Sequence, residues 1–151
     1  MIAIASDHAG LALKKELMAM LDQRSIPYKD FGTYTQERTD YPIYGARAAR
    51  AVISGECEKA IVVCGTGVGI SIAANKIKGI RAVVCSDCYS AKLSREHNDT
   101  NVLALGARVV GVDLAKMIAS IWLETPFEGG RHQKRIDMIS ALEDQLDIES
   151  E

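Results

Sequence analysis

The chain has 151 residues, 48% of them hydrophobic and 25% charged, which is the material of one globular domain with a proper core over residues 1–151. A net charge of −2 supplies no field to draw in nucleic acid or an anionic membrane, and no apolar run approaches the roughly 20 residues a membrane span needs. The amino-terminal Met-Ile-Ala-Ile-Ala-Ser-Asp lacks the basic and apolar regions of a signal peptide, so the four cysteines are expected to be reduced thiols in a cytoplasm.

In chain order, residues 2–6 read as a short apolar strand. Residues 11–23 carry apolar side chains at Leu13, Leu17, Met18 and Leu21, a helical spacing. A weaker strand at 28–32 precedes an Ala-rich helix at 42–54, with Pro42 suited to a first turn. The strand 60–64 runs into a glycine loop and a helix at 70–76. Strand 80–85, helix 90–96, strand 102–105, helix 113–123 and a more polar helix at 131–146 complete the pattern. The acidic tail 147–151 reads as frayed. Alternation of β and α elements, with strands that are continuous runs of Val, Ile and Ala, predicts an α/β fold. The expected sheet is five-stranded, parallel and doubly wound (Rossmann-like), with helices on both faces.

In such a sheet, ligands sit beyond the carboxyl ends of the strands. Four polar clusters fall there: Ser6-Asp7-His8, the 64–69 loop, Ser86-Asp87-Cys88 and Gly106-Ala107-Arg108. The 64–69 loop is the most informative. Cys64 ends a buried strand beside the amino end of a helix, where free backbone N–H groups and the helix dipole favour an anion and a thiolate. A nucleophile or base and an anion cradle share one turn. The glycines, Gly65-x-Gly67-x-Gly69, lack the final gap of GxGxxG and follow the third strand rather than the first. No Gly-Lys-Ser/Thr follows, so a P-loop is excluded; a purely structural turn is the plain alternative.

Only three histidines occur, His8, His97 and His132, each in a dense polar setting. The run 95–101 between a helix and a strand reads as a loop whose donors and acceptors suit sugar hydroxyls, and His97 could exchange a proton near neutral pH. Arg131 and Arg135 stand four apart on a helix, and with Arg108 they could hold a phosphate dianion. The plain alternative is a solvated basic face, although cations early in a helix oppose its dipole. Cys85-x-x-Cys88 is a single pair without a second CxxC, so neither zinc nor dithiol chemistry is favoured, and Cys57 is incidental.

Seven segments in order carry a family resemblance. They are Asp7-His-Ala-Gly10, Arg38-Thr-Asp-Tyr-Pro42, Cys64-Gly-Thr-Gly-Val-Gly69, Ala73-Ala-Asn-Lys76, His97-Asn-Asp-Thr-Asn101, Gly106-Ala-Arg108 and Gly129-Gly-Arg-His-Gln133. To about residue 140 the chain resembles type B ribose-5-phosphate isomerases, a family that includes galactose-6-phosphate isomerase subunits and allose-6-phosphate isomerases. The resemblance implies interconversion of ribose 5-phosphate and ribulose 5-phosphate through a cis-enediolate, with no metal and no organic cofactor. Cys64 would be the base between C1 and C2, and His97 would serve ring opening. Thr66 and the backbone N–H groups of Gly65, Gly67, Val68 and Gly69 would stabilise the enediolate. Asp7, His8 and Asn98 would hold sugar hydroxyls, and Arg108, Arg131 and Arg135 the phosphate. One branch of the family replaces the cysteine with a Glu base after the third loop glycine; Ile70 stands there, so the role stays with Cys64.

Family members form sites between subunits. The galactose-6-phosphate branch divides its site over two different chains, whereas this chain keeps the cysteine, His-Asn and Arg-His segments together. A homodimer or homotetramer is therefore expected, with active sites at its interfaces and no membrane or nucleic-acid partner. Two other readings compete: a hexose-phosphate isomerase of the same family, and a non-catalytic sugar-phosphate-binding module or thiol sensor.

Overall fold

The computed structural model describes residues 1–149, so the end of the tail expected to fray, residues 150 and 151, lies outside the described residues. The elements are β1 (Ile2–Ser6), α1 (Leu11–Gln23), β2 (Tyr28–Asp30), α2 (Tyr41–Ile53), β3 (Lys59–Cys64) and α3 (Val68–Asn75). They continue with β4 (Ala82–Val84), α4 (Cys88–Asn98), β5 (Val102–Gly106), α5 (Val112–Glu124) and α6 (Arg131–Glu143). All strands pair in parallel in the order β2-β1-β3-β5-β4, with Ile4 beside Ile61, Ile61 beside Leu103 and Cys64 beside Gly106. The chain leaves β1 toward one edge, crosses back to β3 and continues toward the other. That reversal makes the β1–β3 carboxyl end a topological switch point.

Strand periodicity explains the two layers. Ile2, Ile4, Ile61, Val63, Leu103 and Leu105 face one side, where they pack with Leu13, Leu17, Ala91, Ile118 and Trp122 from α1, α4 and α5. The alternate positions, Ala3, Ala5, Ala60, Val62, Cys64 and Ala104, face α2 and α3 through Ala48, Ala49, Ile70 and Ala74. Large residues on one face and small ones on the other let α2 and α3 sit closer to the sheet. Cys64 belongs to the close-packed side. No helix among the described residues is long and apolar enough to cross a membrane.

Several boundaries differ from the sequence expectation. The strands expected at 28–32 and 80–85 shorten to β2 and β4, the two edge strands, where only one neighbour supplies hydrogen bonds. The helix expected at 90–96 runs from Cys88 to Asn98. Asp87 caps it through a 2.7 Å bond from the Ser90 N–H, and Asp99, at φ 45°, ends it. His97 and Asn98 are therefore in a helical last turn, not a loop. The last helix stops at Glu143 rather than 146.

On α1 the buried face includes Lys14, only 1% exposed, while Met18 is partly exposed. Its ammonium donates to Asp30 Oδ1 at 2.7 Å and to the Thr33 carbonyl at 2.5 Å. This pair ties α1 to the segment after β2, whose Gly32 carbonyl and Thr33 N–H bond across to Ser6 at 2.7 Å each. Removing one partner of a buried pair leaves the other uncompensated, at a cost of about 3–5 kcal/mol. K14M should therefore fall toward the lower end of that range, since Asp30 is 22% exposed, in urea unfolding. K14M/D30N should be more stable than K14M alone, because no lone carboxylate remains.

Candidate active site

Cys64 closes β3 and is 4% exposed. Its Sγ accepts the Gly67 N–H at 3.1 Å. Gly67 turns the chain into α3 with φ +79°, and a Cβ there would meet Val84 at 2.8 Å and the Leu105 backbone at 2.9 Å. Only glycine fits. Thr66 Oγ1 accepts the Val68 N–H at 3.2 Å. The N–H groups of Gly65, Thr66 and Gly69 have no hydrogen-bond partner among the described residues. Unpaired backbone donors at a helix amino terminus are what an anionic oxygen requires. The loop is strapped to the segment after β5 by the Ala107 and Arg108 N–H groups, which donate to the Cys64 and Gly65 carbonyls at 2.9 Å each. Arg108 consequently lies against Gly65, whose added Cβ would stand 3.4 Å from Nη1.

A cleft of about 440 Å³ opens above the thiol, lined by Asp7, Tyr41, Cys64, Gly65, Thr66, Val68, Gly69 and Ile72. Asp7, 6% exposed, is fixed by the Gly10 N–H, which donates to Oδ1 at 3.0 Å. His8 Nδ1 lies 3.1 Å from the Thr39 N–H and 3.2 Å from the Thr39 carbonyl oxygen, which ties the imidazole to the segment before α2. Tyr41 was not among the expected site residues. Its ring rests on the Cα of Gly69, where a Cβ would come within 2.5 Å of Cζ. The Arg38-to-Pro42 segment held the signal, but nothing in spacing says that the first residue of α2 reaches across to the α3 amino end. A larger groove of about 580 Å³ runs between α6 and β4, with Ile139, Leu142 and Asn98 on its walls. No thiol lines it, whereas Cys64 lines the smaller cleft.

The expected site residues fall into two groups. Asp7, His8, Cys64 to Gly69 and Arg108 gather at the carboxyl edge of the sheet. His97 and Asn98 stand at the amino edge, because α4 runs back against the strands. The Asn98 carbonyl accepts from Arg81 Nε at 2.8 Å just before β4 begins, and the Asn101 carbonyl accepts from the Ala60 N–H at 3.0 Å. Four strand residues, roughly 13 Å at 3.3 Å each, separate that level from Cys64. Arg131 and Arg135 lie one turn apart on α6, beside the end of α4, and so belong with the second group.

At that edge His97 stacks on His132, with ring centroids 4.2 Å apart and planes at 12°. The Glu128 carboxylate lies 3.4 Å from His132 Nε2. One ligand atom from each of the three falls within 4.8 Å of the others. An imidazole binds a metal in its own ring plane, and two nearly parallel planes share no such point, so the trio is not a formed metal site. Cys85 is buried and Cys88 half-buried, both free thiols. Burial, with Asp87 nearby adding to it, pushes the Cys85 thiol up to about 11.

An open, doubly wound α/β sheet with a thiol and free backbone donors at its switch-point rim defines the class of protein. The chain belongs to the Ribose/Galactose Isomerase family, whose profile matches residues 2–139. It is 59% identical over 142 residues to ribose-5-phosphate isomerase B of Escherichia coli (strain K12), covering 94% of this chain and 95% of that one. It is 41% identical over 145 residues to D-erythrulose-4-phosphate isomerase of Pectobacterium atrosepticum, covering 95% of each. The solved ribose-5-phosphate isomerase B of Clostridium thermocellum superposes with a TM-score of 0.94 at 54% identity, over 95% of this chain and 97% of that one.

Two outcomes follow from this geometry. Gly69→Ala must displace Tyr41 from the cleft, so ligand affinity measured by calorimetry should fall while the melting temperature changes little, Tyr41 being 40% exposed. In native-state alkylation near pH 8 with mass-spectrometric readout, Cys88 should react and Cys85 should stay unmodified until the pH nears its raised value.

Proposed function

We propose that this protein is a ribose-5-phosphate isomerase that interconverts ribose 5-phosphate and ribulose 5-phosphate by proton transfer at carbon, with Cys64 as the base. The observation that carries the reading is the buried Cys64 thiol held on the Gly67 N–H, next to the unpaired N–H groups of Gly65, Thr66 and Gly69. A base and an oxyanion receptor on one turn are what an enediolate reaction needs. The E. coli and C. thermocellum relatives, named as ribose-5-phosphate isomerases, support the sugar.

The steps are these. His97 takes the proton of the anomeric hydroxyl as the bond from C1 to the ring oxygen breaks, and that oxygen gains a proton. In the open aldose, Cys64 thiolate removes the C2 proton, and the electron pair moves to O1, which the loop N–H groups and Thr66 receive. The proton carried by Cys64 then returns to C1 while the O2 proton passes to O1, giving the ketose. Nothing is oxidised or reduced overall. Asp7, His8 and Asn98 hold hydroxyls; Arg108, Arg131 and Arg135 hold the phosphate.

These roles require residues that stand on opposite edges of one chain's sheet to meet on one sugar. A second copy supplies the missing half in this reading. The exposed apolar side chains around the cleft, Val68, Ile72, Tyr41 and Ile43, support a covering partner. A homodimer has two equivalent sites of this kind, and a homotetramer pairs such dimers. One domain per chain in a cytoplasm completes the proposal.

A second reading shares the chemistry and changes the sugar, favoured by the 41% identity to an enzyme named for a four-carbon phosphate. Pockets discriminate one extra carbon by only about 10–200-fold, so kcat/KM for tetrose, pentose and hexose phosphates side by side decides between them.

Cys64→Ala should bind ribose 5-phosphate normally and lose turnover by about 10²–10⁴-fold. Unchanged turnover would remove the cysteine base, and a parent protein that binds but never turns over would leave a binding module. Assayed from ring-form ribose 5-phosphate, where both variants are impaired, co-refolded Cys64→Ala and His97→Asn proteins should exceed the mean of the two alone, because mixed dimers, about half of the total, each form one intact site. No recovery would place the whole site in one chain.

A further inference from the structure

The proposed mechanism uses only one of two stacked imidazoles. His97, half-buried, occupies the last turn of α4; His132, 5% exposed, occupies the first turn of α6. Their rings lie 4.2 Å apart and 12° from parallel. His132 Nε2 is 3.4 Å from a Glu128 carboxylate oxygen. Glu128 is itself pinned to α4, since its N–H donates to the Glu96 carbonyl at 3.1 Å. Gly129 and Gly130, at φ 68° and 56°, then turn the chain from that anchor into α6. The contacts run in one line: α4 backbone, Glu128, His132, His97.

A histidine in a helix's last turn is ordinarily free to rotate about its side-chain bonds. A proton shuttle is not useful in that state, because a functional group must be held within about 0.5 Å of its working geometry. Stacking covers one ring face and restricts rotation, while both nitrogens lie on the ring edge that stacking leaves open. His132 can do this because it is buried at 5% exposure, so the packing around it restricts its own ring.

We infer that His132 is a positioning residue for the ring-opening step, holding through its stacked ring the His97 imidazole that it aims. This rests on the isomerase reading above. In that reading His97 serves ring opening and Cys64 the proton removal at carbon, so a misaimed His97 slows opening of the aldose ring and not proton removal at carbon. Ribulose 5-phosphate gives the contrast: its C5 oxygen carries the phosphate, so the ketose is open-chain and reaches the enediolate with no ring to break.

The experiment compares initial rates from ribose 5-phosphate and from ribulose 5-phosphate for the parent, His132→Ala and His132→Phe. His132→Ala should slow consumption of the ring-form aldose by about 10–100-fold, the scale of a misplaced catalytic group, and leave consumption of the ketose near the parent rate. His132→Phe fills the same space and keeps the stack, so it should recover most of the aldose rate even if the alanine variant folds poorly. Equal loss in both directions, no loss in either, or a phenylalanine variant that folds and is as slow as alanine would overturn the assignment. A parent that turns over neither sugar would instead overturn the isomerase reading beneath it.

Discussion

The cleft depends on how closely the 64–69 loop lies against the end of β5. A Cβ on Gly106 would fall 2.5 Å from the Thr66 carbonyl oxygen, and one on Gly10 would fall 2.5 Å from that of Val63. Real side chains do not survive such distances, so backbone meets backbone here. That contact lets the Ala107 and Arg108 N–H groups satisfy the Cys64 and Gly65 carbonyls, while the N–H groups of Gly65, Thr66 and Gly69 keep no partner among the described residues. The same proximity brings Arg108 over Gly65. With the loop lifted by one side chain, the Cys64 and Gly65 carbonyls would lose the Ala107 and Arg108 N–H groups.

The small face of the sheet prepares this approach. Ala3, Ala5, Ala60 and Ala104 give α2 and α3 room to come down, and Gly45 on α2 takes the Ile70 side chain of α3 at close range. The opposite face carries Ile, Val and Leu against α1 and α5, with Trp122 buried and its indole N–H on Thr100 Oγ1 at 2.9 Å. One face is thus built for volume and the other for proximity, and Cys64 sits on the second. Burial of the thicker face supplies the larger hydrophobic stabilisation.

The amino edge is organised by charge and capping. Arg95, 6% exposed, donates to the Thr100 carbonyl at 2.5 Å, to Asp99 at 2.8 Å and to the Thr125 carbonyl at 3.1 Å. It satisfies the orphan carbonyls where α4 ends and α5 leaves. That rigid corner fixes the last turn of α4, and Glu128 hangs from it. Arg131 and Arg135 then project from α6, whose amino terminus already carries positive partial charge, so the basic pair adds to an anion-attracting end.

Much of this was legible in the sequence. Continuous apolar strands alternating with helical periods fixed the parallel doubly wound class, because a strand buried on both faces has no polar alternation to show. Cys64 beside Gly65, Gly67 and Gly69 declared a thiol at a glycine turn into a helix, since these are local facts of bond geometry. The four-residue spacing of Arg131 and Arg135 gave a shared helix face in the same way. Edge-strand lengths, the extra turn of α4 through His97 and Asn98, and the burial of Lys14 were set by partners distant in the chain. So were Tyr41 on Gly69 and the stack of His97 on His132. Most of all, the sequence places Cys64 and His97 in one order but says nothing of the sheet's two edges. Only the tertiary structure separates them, because a helix connecting parallel strands must return its carboxyl end to the edge where the next strand begins.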